Sequence, residues 1–208
     1  MSTNNIPEGY TDHVLSEQEF LDVELSMGIG FHNPGFINLC NNTAEVIKLI
    51  PDVKTVLDYG AGTGVYARAY HNLGYDVTVV EKFLPHREYI NKEAPELTKV
   101  WSLEDLEANG PVKVDLLSWI EVAEHQTDEE IDHVLKLIRP KFIYFSSTSE
   151  LTPNDAAWGH INVKAQTDWV NIFKKKGFKL LASPNLPTSW AKIFIDNDTY
   201  NRPNRGRK

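Results

Sequence analysis

Residues 53–82 restrict the possible folds of this chain more than any other stretch. They contain, in order, an apolar run that ends in an acid, a glycine-rich turn, a helical pattern and a second apolar run: residues 56–58, 60–64, 65–73 and 77–81. Strand, turn, helix and strand in this order form a βαβ unit. Because both strands are continuous apolar runs rather than alternating ones, the sequence predicts a parallel sheet that is buried on both faces.

The turn between the two strands has features that suit a ligand. It reads GAGTG over residues 60–64, with Asp58 before it and Glu81 at the end of the second strand. Glycines let the backbone approach a ligand closely, and the free N–H groups at the start of the helix carry partial positive charge. A carboxylate at the carboxyl end of a strand lies where open α/β sheets bind ligands and can accept hydrogen bonds from a ribose. We therefore expect a ligand that contains adenosine.

The glycine spacing distinguishes between classes of adenosine ligand. Dinucleotide-binding turns read G-x-G-x-x-G, whereas this turn reads G-x-G-x-G and follows Asp58 by two residues. A carboxylate at Asp58 would repel a pyrophosphate but attract the ammonium group of S-adenosylmethionine (SAM), which has no phosphate. The arrangement resembles motif I of the class I SAM-dependent methyltransferases, and the resemblance extends from Val53 to about Ile195.

This resemblance implies an α/β fold with a doubly wound, mostly parallel seven-stranded sheet and an antiparallel strand in its C-terminal hairpin. It implies a SAM-binding methyltransferase domain over residues 53–195, after a helical segment with a possible lid, 1–52, and before a loose polar and basic tail, 196–208. The residues expected to contact SAM are Asp58 at the methionine end, Gly60, Ala61, Gly62 and Gly64 as a backbone cradle, Glu81 at the ribose, Ser102 and Leu103 near the adenine, and Glu121. Family members often carry an aspartate where this chain has Ser102, which leaves the adenine contact open.

The fourth predicted strand, residues 112–120, leads into the segment EVAEH at 121–125. Thr127 and Glu130 form a capping box, which predicts that the next helix begins there. The EVAEH segment is therefore expected to be a loop at the carboxyl end of a central strand, where ligands bind in open α/β sheets.

The remaining elements are predicted from apolar periodicity, caps and breakers. Helices are expected over residues 15–27 with Ser16 as N-cap, from Asn42 or Thr43 to about 50, and over 85–91, 127–138 and 166–176. Further strands are expected over residues 99–101, 142–146, 178–182 and 189–195. Residues 28–35 and 147–159 are expected to be irregular. Phe31 and His32 are candidates for a lid over the cofactor or for an ordinary loop between helices.

Four residues that can transfer protons or bind metals follow the fourth and fifth strands: Glu121, Glu124, His125 and His160. Three interpretations are open. His125 or His160 can act as a general base for a hydroxyl group, with Glu124 beside it. Alternatively, the carboxylates and imidazoles hold a divalent metal that acidifies one of two vicinal hydroxyls, an arrangement that resembles the small-RNA 2′-O-methyltransferases. In the third, E-V-x-E-H is simply a common form of this loop, with the first glutamate close to SAM.

Charge and cysteine content narrow the class of substrate and the compartment. The net charge of −8 argues against a nucleic-acid substrate, because proteins that bind a phosphate backbone usually present a basic face. The single cysteine, Cys40, excludes an internal disulfide. The sequence has neither a signal-peptide pattern nor an apolar run long enough to span a bilayer. We therefore expect a cytoplasmic protein that does not associate with membranes.

Taken together, these features predict a SAM-dependent methyltransferase that releases S-adenosylhomocysteine (SAH). The segments WGHINV at 158–163 and DWVNIF at 168–173 resemble methyltransferases of sugar and natural-product hydroxyls. The expected acceptor is therefore the oxygen of a small molecule or saccharide. A metal-dependent RNA ribose 2′-O-methyltransferase and a SAM-binding partner subunit without catalysis remain alternatives.

Overall fold

The computed structural model describes residues 13–149 and 155–201. Strands in these ranges form one seven-stranded sheet, and numbered along the chain they are β1 Thr55–Tyr59, β2 Asp76–Val80, β3 Val100–Trp101, β4 Val112–Ile120, β5 Ile138–Ser146, β6 Phe178–Ala182 and β7 Lys192–Asp196. Their spatial order is β3-β2-β1-β4-β5-β7-β6. β7 runs antiparallel to both of its neighbours, and the other pairs are parallel. The predicted fold class is confirmed.

Helices connect the strands and cover both faces of the sheet. The α-helices of the described residues are α1 Glu17–Ser26, α2 Pro34–Ile47, α3 Val65–Asn72, α4 Leu84–Glu93, α5 Leu103–Asn109, α6 Asp128–Leu137, α7 Asp155–Trp158, α8 Gln166–Lys175 and α9 Asn197–Asn201. A 3₁₀ turn, Ala123–His125, follows β4. None of these helices is long and apolar enough to cross a membrane.

Two apolar clusters hold the layers together. On one face of the sheet, α2 and α3 bury Ile47 and Tyr70 against β1, β2 and β7. On the other face, Trp119 of β4 and Phe173 of α8 lie in a cluster of aromatic rings, with their centroids 6.1 Å apart. Both faces are apolar, which is why the strands of this parallel sheet appear in the sequence as continuous apolar runs.

The strand order reverses between β1 and β4, which pair directly, with Asp58 beside Ser118. Open α/β sheets bind ligands at such a point, outside the carboxyl ends of the strands. The glycine turn after β1, Glu81 after β2 and the EVAEH segment after β4 all emerge at this edge. The fold therefore brings the predicted cofactor and acceptor residues to one end of the sheet.

Helices α5 and α7 are absent from the sequence prediction: α5 begins at a capping box of Ser102 and Asp105, and α7 lies within the stretch 147–159 that is expected to be irregular. The last strand begins at Lys192 rather than at residue 189.

Three further boundaries also differ. α2 begins at Pro34 rather than near Asn42, because Asn33 caps it through a bond from the Gly35 N–H and proline is favourable in the first helical turn. β5 begins at Ile138 and includes Pro140, because β7 pairs with β5 only from Phe142 onward and leaves that side of the proline unpaired.

The third difference lies at the C-terminus, which the sequence predicts to be loose from residue 196. α9 occupies the start of this segment, and Asp196 caps it by accepting a bond from the Thr199 N–H at 2.9 Å. Residues 202–208 lie outside the described residues, as do residues 1–12 and 150–154.

Candidate active site

The glycine turn and the two acids beside it form a compact unit, which we call the cofactor turn (Asp58, residues 60–64 and Glu81). Glu81 is buried and accepts two backbone hydrogen bonds, from the Gly62 N–H at 2.8 Å and from the Phe83 N–H at 2.9 Å. Burial raises the pKa of Glu81, and His86 and these two bonds oppose that rise. The carboxylate thus joins the turn after β1 to the residues after β2.

Glycine is required at two positions of this turn. A Cβ at Gly60 would lie 2.5 Å from a methyl group of Val122, and its φ of +68° also disfavours other residues. Gly62 has a φ of +53°, and the nearest atom to a Cβ there would be a Glu24 carboxylate oxygen at 3.5 Å. Val122 therefore packs the EVAEH segment directly against the cofactor turn.

Asp58 lies at the centre of a buried polar chain. Its Oδ1 accepts a 2.6 Å hydrogen bond from the Ser118 hydroxyl, which is 3.0 Å from the Tyr70 hydroxyl. Its Oδ2 is buried and has no hydrogen-bond partner within the described residues. Burial raises the pKa of Asp58 to about 7, with the Ser118 bond opposing the rise and Glu81 adding to it.

These observations fit the expected cofactor. An unpartnered buried carboxylate oxygen suits the ammonium group of SAM, and a turn of glycines with positive φ suits a ligand held by backbone N–H groups. Within the cofactor turn, Asp58 would hold the methionine end of SAM, and Glu81 has further lone pairs for a ribose diol.

Three other residues expected near SAM also lie at this edge. Ser102 caps α5 in a capping box with Asp105, and Leu103 begins that helix. The Glu121 carboxylate accepts hydrogen bonds from the Ser146 hydroxyl and from the Trp190 ring N–H. Their contacts with SAM stay a prediction.

The second group of predicted site residues converges beyond β4, and we call Glu124, His125 and His160 the histidine cluster. One candidate ligand atom from each of the three lies within 4.8 Å of the others. The two imidazole rings are 4.6 Å apart between centroids, in an edge-on arrangement. The sequence prediction that these residues act together is consistent with this geometry.

Backbone hydrogen bonds bring His160 to the EVAEH segment. The carbonyl oxygen of Glu124 accepts bonds from the N–H groups of Ile161 and Asn162, both at 2.9 Å. The Asn162 side chain donates to the Gln126 carbonyl oxygen at 2.7 Å. These bonds hold the loop after α7 against the 3₁₀ turn after β4.

The two imidazoles of the cluster have different neighbours. His160 Nδ1 is 2.6 Å from an oxygen of Asp155, a buried residue that is not among the predicted site residues. Backbone groups of Trp158 and Gly159 lie close to the His125 ring and raise its pKa, although burial outweighs them. The contact with Asp155 leaves Nε2 of His160 for a ligand or a proton.

Burial disfavours the charged forms of two residues of the cluster, His125 and Glu124. Burial and the neighbouring His160 lower the pKa of His125 to about 4, so its imidazole is neutral at pH 7 and accepts protons weakly. Burial and Glu121 raise the pKa of Glu124 well above its usual range. Glu124 Oε1 accepts a bond from the Thr148 N–H at 3.3 Å, whereas Oε2 has no partner within the described residues.

Helix α1 connects the two halves of the site. Glu24 approaches the cofactor turn and binds His86 at 2.8 Å. Burial alone would lower the His86 pKa, but this contact with Glu24 raises it. One helical turn earlier, the ring of Phe20 lies 5.6 Å from that of Phe83 and 5.9 Å from that of His125.

Phe31 and His32, the candidates for a lid or an ordinary loop, lie beside α3 and α4, and a lid stays a prediction. Phe31 stacks on Tyr89 and lies under the Arg68 guanidinium at 4.0 Å, and His32 is exposed. Of the described N-terminal aromatic rings, Phe20 is the one that reaches the histidine cluster. Its place on α1 gives no signal in the sequence, because its partners are distant in the chain.

Comparison with known proteins identifies the family. A family model described as a methyltransferase domain matches residues 36–183. This chain belongs to that methyltransferase family. Sequence comparison with curated proteins finds no match. The match includes the cofactor turn, Glu124 and His125, and the seven-stranded fold is that of the class I SAM-dependent methyltransferases.

Solved structures with this fold include methyltransferases with different substrates. Mitomycin 7-O-methyltransferase MmcR has a TM-score of 0.63 at 12% identity; the match covers 88% of this chain but only 61% of that enzyme, less than two thirds of its length. Magnesium protoporphyrin IX methyltransferase from Synechocystis PCC 6803 with bound SAH has a TM-score of 0.56 at 16% identity, with 89% of each chain covered. The 16S rRNA methylase ArmA has a TM-score of 0.57 at 14% identity, with 88% and 91% covered. At these identities the likeness shows the fold, not the substrate.

Proposed function

We propose that this SAM-dependent methyltransferase transfers its methyl group to a hydroxyl oxygen of a small molecule or saccharide. The observation that carries the proposal is the histidine cluster, in which Glu124, His125 and His160 converge within 4.8 Å. A hydroxyl must lose its proton as its oxygen is methylated, so the site needs groups that remove or accept that proton. Thiol and amine acceptors depend less on a group that removes a proton.

The cluster is positioned to meet an acceptor beside the cofactor. Val122 packs on Gly60, and the next residues in the chain, 123–125, form the 3₁₀ turn that carries Glu124 and His125. When bound, SAM supplies a methyl group whose carbon–sulfur bond breaks with the electron pair left on sulfur, while the acceptor oxygen forms the new bond and its proton leaves at the cluster. The cofactor turn binds and orients the cofactor, and the ring of Phe20 packs against those of Trp158, at 4.9 Å, and His125, at 5.9 Å.

Charge and comparison favour a small acceptor over RNA. With a net charge of −8, the chain has no excess of Lys and Arg, which proteins that bind the phosphate backbone of a nucleic acid usually have. One of the similar structures is an O-methyltransferase of a small molecule, although a 16S rRNA methylase also shares the fold.

An acceptor screen with radiolabelled SAM tests the proposal. The purified chain is incubated with panels of saccharides, phenols and aliphatic alcohols, and with amines, thiols and RNA, and both labelled product and SAH are measured. We expect transfer to at least one hydroxyl compound, with loss of transfer in His160→Ala. Transfer only to RNA, or only to an amine or thiol, would overturn the proposal. Binding of SAH without transfer to any acceptor would instead support a non-catalytic SAM-binding subunit.

A further inference from the structure

We propose that Glu124, His125 and His160 bind one divalent transition-metal cation. Two imidazoles and one carboxylate form a donor set that suits Mn²⁺, Fe²⁺, Co²⁺ or Zn²⁺, whereas Mg²⁺ and Ca²⁺ prefer oxygen ligands alone. The three ligand atoms lie within 4.8 Å of one another. Neighbouring ligands at 2.0–2.2 Å from a shared cation in octahedral or tetrahedral geometry are roughly 2.8–3.6 Å apart. Small side-chain rotations are therefore enough to form the site.

An unpartnered buried oxygen is the second observation. Glu124 is 1% exposed, and its Oε2 has no hydrogen bond within the described residues, while Oε1 is held by the Thr148 N–H. Buried polar atoms without partners are uncommon in folded proteins, and an ion that binds at the site is one physical reason for them. A cation at the cluster would satisfy the Glu124 carboxylate.

The contacts around the cluster are those of metal ligands. Histidines that bind metals usually donate their other ring N–H to a carboxylate or a backbone carbonyl, which fixes the tautomer and the ring orientation. His160 has Asp155 in this position, 2.6 Å from its Nδ1. One ring nitrogen of each histidine is among the three candidate ligand atoms that lie within 4.8 Å of one another.

An exposed histidine–glutamate pair, between α6 and α5, shows the contrast. His133 Nε2 is 3.1 Å from a Glu107 oxygen, but both side chains are more than half exposed. No third ligand joins this pair in the part of the chain that the structure describes. This pair supplies a matched control for the cluster.

The cation would act on the proposed acceptor, so its catalytic role rests on the proposed function, although its binding does not. A divalent cation lowers the pKa of a hydroxyl that binds to it. The chain then needs no strong base: Glu124, His125 and His160 hold the cation, and the hydroxyl proton passes to water. His125 suits the role of a metal ligand because its ring lies next to that of His160, so that both imidazoles can bind the same cation.

Cation binding can be measured without any acceptor. The full chain is treated with a chelator, dialysed and titrated with Mn²⁺, and free Mn²⁺ is followed by its electron paramagnetic resonance signal. A separate sample is titrated with Co²⁺, because its visible absorption spectrum changes when nitrogen ligands bind. We expect one tight site per chain. Glu124→Gln and His160→Ala should weaken binding by roughly 100-fold or more, and Asp155→Asn, which acts through His160, by about 10- to 100-fold.

The controls make either result decisive. His133→Ala should leave cation affinity unchanged, and SAH affinity shows that each variant is folded. The proposal is overturned if the chain binds neither Mn²⁺ nor Co²⁺, or if Glu124→Gln and His160→Ala bind them as tightly as the unaltered chain does. Failure of cation binding with intact transfer to a hydroxyl would leave the proposed function standing. Tight binding without such transfer would leave the metal site standing and remove the proposed function.

Discussion

The cofactor turn and the histidine cluster lie at neighbouring strand ends but are assembled in different ways. Asp58, the glycines and Glu81 come from one continuous stretch of the chain, and Glu81 holds this stretch together through the Gly62 and Phe83 N–H groups. In the cluster, His160 comes from a different loop from His125, and hydrogen bonds between the two loops hold them together. The residues of the first region therefore all come from one βαβ unit, whereas those of the second are brought together by tertiary structure.

The two regions also differ in how their carboxylates are satisfied. Both oxygens of Glu81 accept backbone hydrogen bonds, whereas one oxygen of Asp58 and one of Glu124 have no partner within the described residues. Glu81 thus shapes the turn before any ligand binds. Asp58 and Glu124 carry the unsatisfied oxygens that a cationic group of a ligand or a metal ion would complete.

The largest expected effect is a loss of turnover without a loss of SAH affinity, which would separate the role of the histidine cluster from that of the cofactor turn. His160→Ala should lower turnover roughly 100-fold or more, because the cluster loses a group that removes the hydroxyl proton, directly or through a cation. SAH affinity, measured by calorimetry, should stay unchanged. His133→Ala is the matched control and should retain turnover. Full activity of His160→Ala would show that the cluster has no part in the reaction.

The next effect concerns the cofactor turn. Glu81→Ala should weaken SAH binding by about 1.5–3 kcal/mol, or roughly 10- to 150-fold, because the ribose and two backbone N–H groups lose a charged acceptor. Glu88, which is exposed on α4, supplies the control Glu88→Ala. Calorimetry with SAH measures both variants. Equal affinity in Glu81→Ala and the unaltered chain would exclude the ribose role.

A smaller effect follows from the pKa of Asp58, which burial raises to about 7. An ammonium group binds the ionised carboxylate, so SAH affinity should rise by up to about tenfold per pH unit toward pH 7 and then level off. The ligand-free fold shows the opposite sign: a raised carboxyl pKa means that stability falls as pH rises from about 4 to about 7. Asp58→Asn should flatten both profiles, which calorimetry and thermal unfolding across pH would reveal. A profile for SAH that keeps its slope in Asp58→Asn would assign it to another group, such as Glu81.

The sequence predicts features that depend on local patterns better than features that depend on tertiary contacts. The capping box at Thr127 predicts the start of α6 because it is a local pattern, and both of its hydrogen bonds are present. The stretch VKVDLLSWI predicts β4 with its observed bounds, Val112–Ile120, because its second half is almost entirely apolar, as expected of a strand that is buried on both faces. Local patterns of this kind are enough to locate the cofactor turn and the EVAEH segment.

Residues whose roles depend on tertiary contacts escape prediction from the sequence. Asp155, which contacts His160, begins α7 within residues 147–159, which the sequence presents only as a polar loop. Phe20 and Trp190 reach His125 and Glu121 from distant parts of the chain. No spacing rule connects such pairs, because the contacts arise from how helices and loops pack on the sheet rather than from periodicity along one element.

The smallest expected effect tests the hydrogen bonds that join the two loops of the cluster. Asn162→Ala removes the bond from its side chain to the Gln126 carbonyl oxygen, together with contacts of that side chain to Asp128 and Lys164, so His160 should be held less firmly beside Glu124. The bond to Gln126 is the one that joins the two loops, and one neutral hydrogen bond contributes about 0.5–1.5 kcal/mol, so turnover and Mn²⁺ affinity should each fall roughly 2- to 12-fold. SAH affinity should not change, because the cofactor turn is complete without this loop. A parallel loss of SAH affinity would mean that the two regions fold as one unit, and the distinction between a local cofactor turn and a tertiary cluster would then fail.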